Sequence, residues 1–384
     1  MTRVDFDLTP EQQLLQQSVD RLTLERYDFE HRKTYQTSPA GWSGELWAQY
    51  AELGLLGLPF AEPDGGFGGG PIETMLVMEA FGRALALEPY FACVTLAGGA
   101  LRRAANERQR AALIPEIAAG GLLLSLAHSE PTARYDLADV TVAARREGGA
   151  FVLDGDKGLV LHGDSAAKLI VSARTSGGRR EREGLGLFLV AADAPGLTRR
   201  GYRTQDGSRA AEISLRGVRV AVDDVIGDPG GAFPVIEALA GEAIAALCAE
   251  AVGAMAESLR LTIEYLKTRK QFGVTIGSFQ ALQHRASDMF VALEQARSMA
   301  YLAAMMVDDA DENERRKALS AAKIQIGQSA RLIGQQSIQL HGGMGMTMEM
   351  KIGHLFKRLS MIERQFGDVD HHLALLAAAD SLIA

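Results

Sequence analysis

From Thr9 to about Gly121 apolar residues recur three and four positions apart: Leu14, Val19 and Leu22, then the stretches 46–56, 73–87 and 107–118. That spacing predicts amphipathic helices. Thr9-Pro10-Glu11-Gln12 opens the first: Thr9 can cap it, Pro10 fits its first turn and Gln12 can close a capping box. The glycine-rich stretch 61–71 interrupts the pattern as a loop. From about 123 the period becomes two. Residues 151–153, 154–155 and 159–161 read as strand, turn, strand, and 169–171, 185–190 and 213–222 as further strands. Short strands with no long helices between them predict a small antiparallel barrel or sandwich. From about Phe233 helical spacing returns. A run without proline covers 238–268, roughly 45 Å of helix. Helices over about 280–308, 312–340 and 350–364 follow, with a tail helix at 369–383. Rich in alanine and leucine on several faces, they predict a buried bundle or a subunit interface. The chain thus reads as α+β, mainly α: a helical domain at 1–122, a β domain at 123–236 and a helical bundle at 237–384.

Composition narrows the class. Of 384 residues 47% are apolar and 23% charged, which excludes a disordered or disulfide-scaffold protein. Forty-eight acids against forty bases give a net charge of −8, so no broad nucleic-acid surface is expected. The two cysteines, Cys93 and Cys248, form neither a disulfide framework nor a zinc site, no metal site is expected, and they suit a reducing cytoplasm. Asp5 and Asp7 stand where a signal peptide would be apolar, and no apolar stretch reaches eighteen residues. A leader or membrane span is therefore not expected.

Nucleotide motifs of the common kinds are missing. Gly66 and Gly68 have Pro71 where a third glycine would complete G-x-G-x-x-G, and Gly343 and Gly345 are followed by Met348. There is no P-loop and no H-E-x-x-H, and strands do not alternate with helices. Two segments remain. Around Lys267, Arg269 and Lys270 a long helix ends in a basic cluster, Gly273 breaks it, and a new helix starts near Ser278 and Gln280. Alone, such cations merely complement a helix dipole. Gln339-Leu-His-Gly-Gly-Met-Gly345 ends another helix in three glycines within four residues, which lets backbone amides approach a ligand, although a plain C-cap would look the same.

Together the two segments, Arg269-Lys-Gln-Phe-Gly273 and Gln339-Leu-His-Gly-Gly-Met-Gly345, resemble the acyl-CoA dehydrogenase flavoprotein family. The likeness extends over the chain: Phe6-Asp-Leu-Thr-Pro-Glu-Gln12, Glu52 to Pro59 with Asp64-Gly-Gly66, Ala127-His-Ser-Glu-Pro131, and Val218-Arg-Val220 through Val225-Ile-Gly227. It implies an acyl-CoA dehydrogenase-like fold of N-terminal helical domain, middle β-barrel domain and C-terminal four-helix bundle, with FAD as cofactor. Arg269, Gln271, Phe272 and Gln280 would hold the pyrophosphate and adenine end of a neighbouring subunit's FAD. Gln339, Gly342, Gly343 and Gly345 would line the same site. Arginine suits a pyrophosphate through its planar, paired donors. Ser129 would hydrogen-bond the flavin ring, with the backbone around Leu126 to His128 lying against it. The implied reaction removes an α-proton from an acyl-CoA thioester by a glutamate and passes the β-hydride to flavin N5. An electron-transfer flavoprotein would be the acceptor.

Several positions depart from the family pattern. Counting from Glu349, the segment that carries the usual base falls on Phe366-Gly367-Asp368. The alternative base position, about 26 residues before Arg269, is Ala243, with Glu242 one residue and thus about 100° of helix away. Glu242 and Asp368 are the candidates for a base within this chain. The family's K-x-W-x-T is Lys157-Gly-Leu-Val-Leu161, and Tyr135 replaces a CoA-contacting serine. Ala127 to Leu137, the Val160-Leu-His-Gly163 stretch and the Gly367-Asp-Val-Asp-His-His-Leu373 ending resemble small subunits of heteromeric members, such as that of pimeloyl-CoA dehydrogenase. The sequence leaves open an enzyme, alone or in a homo- or heterotetramer, a non-catalytic partner that completes a neighbour's FAD site, and a thioester enzyme running another reaction.

Overall fold

The computed structural model describes residues 7–379. The chain divides into two compact units, one of residues up to Thr34, Pro71–Ala86 and the chain from Ile244 onward, the other of Tyr35–Gly70 and Leu87–Ala243.

The first unit is helical. α1 (Pro10–Arg26) begins as the sequence predicts, with Thr9 as N-cap and both halves of the capping box formed by Gln12. The unit also contains α4 (Pro71–Ala84), most of α7 (Phe233–Thr268), α8 (Gln280–Met306), α9 (Glu312–His341), α10 (Lys351–Arg364) and α11 (Val369–Ala378). α2 (Phe29–Thr37) is not anticipated by the apolar spacing, because its one buried residue is Arg32, whose Nε donates to Leu85 O at 2.9 Å. α4 and α7 pass backbone to backbone. A Cβ on Gly82 would lie 1.9 Å from Glu250 O, and one on Gly253 would lie 1.8 Å from Glu79 O. Only glycine permits that approach. The last residues of the expected tail helix, like Phe6 and the start of the chain, lie outside the described residues.

The second unit contains α3 (Gly44–Glu52), α5 (Gly98–Ala104), α6 (Glu107–Ala118) and eight strands. Their order across the sheet is β6 (Leu197–Arg203), β7 (Arg209–Ala221), β3 (Ala150–Leu161), β2 (Ala143–Glu147), β4 (Lys168–Arg174), β5 (Leu185–Ala191) and β8 (Val225–Ile226). β1 (Leu124–Ala127) joins beside β4, in parallel. Leu153, Leu169, Val171, Phe188, Ile213 and Leu215 meet in one apolar core with Ala127. One expectation fails here. Asp154-Gly155 is not a turn between two strands but a bulge within β3, where Gly155 sits at φ +142° and the register to β7 slips. The apolar break at 154–158 reflects that irregularity: β7 pairs with β3 on both sides of it. A second slip, between Lys157 and Val160, leaves Leu159 at φ +51° with its side chain 41% exposed.

Candidate active site

The helical unit brings the two signature segments together. α7 ends at Thr268 in a two-residue hairpin, Lys270–Gln271 against Val274–Thr275, with Phe272 and Gly273 both at positive φ in its turn. Three residues before that end Tyr265 stacks on His341, ring centroids 4.5 Å apart, and His341 closes α9 just ahead of the glycine turn. His341 Nδ1 lies 2.8 Å from Ser337 O, and burial holds its pKa below the ordinary value. Arg269, Gln271, Gln280 and Gln339 are exposed, as is Phe272 at 90%. The Arg269 guanidinium has no acceptor among the described residues. Gly342 and Gly343 face open space where a side chain would project, whereas Gly345 packs on Ile338 O. A free guanidinium fork, an exposed ring and two bare backbone units suit a dinucleotide's pyrophosphate and adenine.

The β unit holds the other group of predicted residues. β1 runs out into Leu126, Ala127, His128 and Ser129. Ala127 points into the core while Leu126 and His128 are half-buried on the opposite face and Ser129 is exposed. Beneath them lies an ion pair the sequence signals only through its motifs. Lys157 Nζ, wholly buried, donates to Glu130 Oε1 (2.8 Å), His128 O (3.0 Å) and Ser172 Oγ (3.0 Å). Glu130 also accepts from the amides of Thr141 and Val142 and from the Thr141 hydroxyl. Burial alone would raise the Glu130 pKa, but the Lys157 ammonium beside it holds it low, while burial pushes Lys157 down to about 8. Gly158 N donates to Ser129 O at 2.9 Å, so β3 pins the end of β1. Ser172, beside the apolar run 169–171, completes this network and is not anticipated from the sequence. Tyr135 is half-buried, with the Arg134 guanidinium 5.3 Å from its ring centroid. Leu159 and Leu161 carry neither the stacking ring nor the hydroxyl that the resemblance leads one to expect.

Both candidate bases accept hydrogen bonds from nearby groups. Glu242 Oε1 accepts from Arg102 Nη2 at 2.7 Å and from Arg103 Nε at 2.6 Å, and Arg102 is itself anchored on Pro59 O. Both bonds fall on Oε1 and tie the carboxylate to α5, an arrangement that suits a structural anchor. We predict that Glu242→Gln leaves flavin reduction by acyl-CoA within about twofold of the parent. Its urea unfolding midpoint should fall by the equivalent of about 1–2 kcal/mol, since both arginines are about one-third exposed. Asp368 is the N-cap of α11, its Oδ1 accepting from His371 N at 2.9 Å. Phe366, at φ +57°, occupies the turn before it.

That turn is held from below. Lys323, 1% exposed, reaches from α9 and donates to the carbonyls of Ile362 (2.8 Å), Glu363 (3.0 Å) and Gly367 (3.0 Å). It caps the C-terminus of α10, where a cation suits the dipole. His372 lies 3.0 Å from Phe366 O through Nε2 and 3.2 Å from Ser320 Oγ through Nδ1. Burial, then the Lys323 ammonium, pushes the His372 pKa down to about 4. In the unfolded chain histidine titrates near 6.5. The unfolded state therefore gains a proton between about pH 6.5 and 4 that the folded state refuses, and stability falls as pH drops through that window. His372→Asn should lower the slope of unfolding free energy against pH there by about one proton, as measured by urea titrations at several pH values.

Comparison with known proteins defines the class. Sequence models of the N-terminal, middle and C-terminal acyl-CoA dehydrogenase domains match residues 9–121, 125–218 and 232–379. The probable acyl-CoA dehydrogenase YngJ of Bacillus subtilis is 31% identical over 369 residues, covering 94% of this chain and 95% of that one. Among solved structures, a variant of the Tcur3481–Tcur3483 steroid ACAD superposes with a TM-score of 0.86 at 28% identity, over 96% of this chain and 97% of that one. The FAD complex of PigA gives 0.90 at 25%, over 99% and 100%. The fold is that of a three-domain FAD flavoprotein oxidoreductase. The chain belongs to the acyl-CoA dehydrogenase family, and its cofactor is FAD. Among the described residues no helix is long and apolar enough to cross a membrane.

Proposed function

We propose that this chain takes part in the α,β-dehydrogenation of an acyl-CoA thioester as one subunit of a tetramer in which a related chain supplies the carboxylate base. The observation that carries this reading is the pair of commitments just described: Phe366 stands in the turn where a base is expected, and Glu242 is clamped by Arg102 and Arg103.

Each signature residue then has a task. Arg269, with Gln271, Phe272 and Gln280, binds the pyrophosphate and adenine end of a neighbouring subunit's FAD, and Gln339 with the glycines at 342, 343 and 345 lines the same groove. Ser129 hydrogen-bonds the ring, and the backbone at 126–128 lies against it. Bound at these residues, FAD would supply the acceptor for the β-hydride of the thioester. Removing the α-proton needs a desolvated, aligned base, which the partner chain provides. Electrons leave to an electron-transfer flavoprotein, and the setting is acyl-CoA degradation in the cytoplasm. The loss of ring and hydroxyl at Leu159 and Leu161 favours a second reading, in which the chain only completes a neighbour's FAD site.

The experiment is to purify the chain alone and together with a related acyl-CoA dehydrogenase chain, and to follow bleaching of the flavin band on adding acyl-CoA. The reading expects bleaching with the partner and little without it. Full activity of the chain alone would overturn it.

A further inference from the structure

We propose that His128 is fixed as its Nε2–H tautomer and offers that N–H to the isoalloxazine ring at the end of β1. The inference rests on the FAD reading above and adds a side-chain contact to it.

A count of hydrogens carries the argument. The Lys157 ammonium has three, and three acceptors surround it: His128 O, Glu130 Oε1 and Ser172 Oγ. Ser172 Oγ is therefore an acceptor toward Lys157 and retains its own hydrogen. Among the described residues the one remaining partner of that hydroxyl is His128 Nδ1, 2.9 Å away. The serine O–H must donate to Nδ1, which leaves the ring proton on Nε2. The reverse tautomer would set the Nδ1 hydrogen against the Ser172 oxygen and leave the serine hydrogen without an acceptor inside a fully buried residue.

Two further observations aim the donor outward. His128 Nε2 has no partner among the described residues and is not one of the sealed, unsatisfied atoms. His128 and Leu126 share the face of β1 opposite the core, next to the exposed Ser129. The ring stays neutral in this position, because burial and the Lys157 ammonium push its pKa down to about 3. The result is a rigid, neutral donor with an empty front.

A donor on the flavin ring favours the electron-rich reduced form. The test uses the flavin-containing protein, alone or with its related chain. Nitrogen-15 spectra should show His128 protonated on Nε2 at neutral pH, and removing FAD should shift that nitrogen. His128→Leu should weaken binding of reduced relative to oxidised FAD about tenfold, a fall of about 30 mV in two-electron midpoint potential. His128→Gln, which keeps a donor, should recover most of it. Ser172→Ala should release the tautomer, so that Nδ1–H becomes populated. An Nδ1–H tautomer in the parent protein, or a potential unmoved in His128→Leu while FAD stays bound, overturns the inference and leaves the FAD reading intact. Protein that binds no flavin under any condition overturns both.

Discussion

Phe366→Glu should give the isolated, FAD-loaded chain an acyl-CoA-dependent flavin bleaching at least about a hundredfold faster than the parent. A positioned general base contributes roughly 10²–10⁴ in rate, and Phe366 can take no proton. The turn is prepared for the exchange. Lys323 and His372 fix its backbone from within the helical unit, at Gly367 O and Phe366 O, and neither contact depends on the Phe366 side chain. Phe366 already places a side chain at φ +57°, so a glutamate there adds no new backbone strain. Stopped-flow absorbance under anaerobic conditions measures it. A glutamate variant that folds, holds FAD and bleaches no faster would show that the base is not what the isolated chain lacks, and would favour the reading in which Leu159 and Leu161 have removed the ring's supports.

Lys157→Met should destabilise the β unit by about 3–5 kcal/mol, the cost of leaving a buried carboxylate without its counter-ion. Both side chains are essentially unexposed, and the ammonium also satisfies His128 O and Ser172 Oγ. The double variant Lys157→Met with Glu130→Gln should recover part of the loss, since an amide oxygen in place of Oε2 can still accept from Thr141 N and the Thr141 hydroxyl while the uncompensated charge is gone. Urea unfolding reads both, through the midpoint at unchanged slope. A single variant within about 1 kcal/mol of the parent would mean that water or a shifted side chain relieves Glu130. Because Lys157 also holds the end of β1, the single variant should lose FAD affinity along with stability.

The architecture is legible from periodicity because each element buries one apolar face. α1 starts where Thr9 and Gln12 say it must, and the change from a period near 3.6 to a period of two marks the β region. What periodicity cannot show is where a strand deforms without ending. Asp154-Gly155 carries the composition of a hairpin turn, and only its pairing with β7 on both sides makes it a bulge. α2 is invisible for a related reason, as its buried residue is an arginine held by a carbonyl. Within the site, Arg269 and the glycine turn are read early because their chemistry is local in sequence. The Lys157–Glu130–Ser172–His128 network is not, since its members come from two strands and a loop. Glu242 is the instructive case: one residue of helix separates it from the expected base position, and that rotation turns it to Arg102 and Arg103.

The central claim is that the loop at 269–273 and the glycine turn at 342–345, joined through Tyr265 and His341, clasp the nucleotide end of FAD. The absorbance spectrum of purified Arg269→Ala, co-purified with the same partner as the parent, tests it most directly. The parent assembly should show a flavin band, and the variant should have lost most of it while remaining folded and assembled. A variant as yellow as the parent would contradict it.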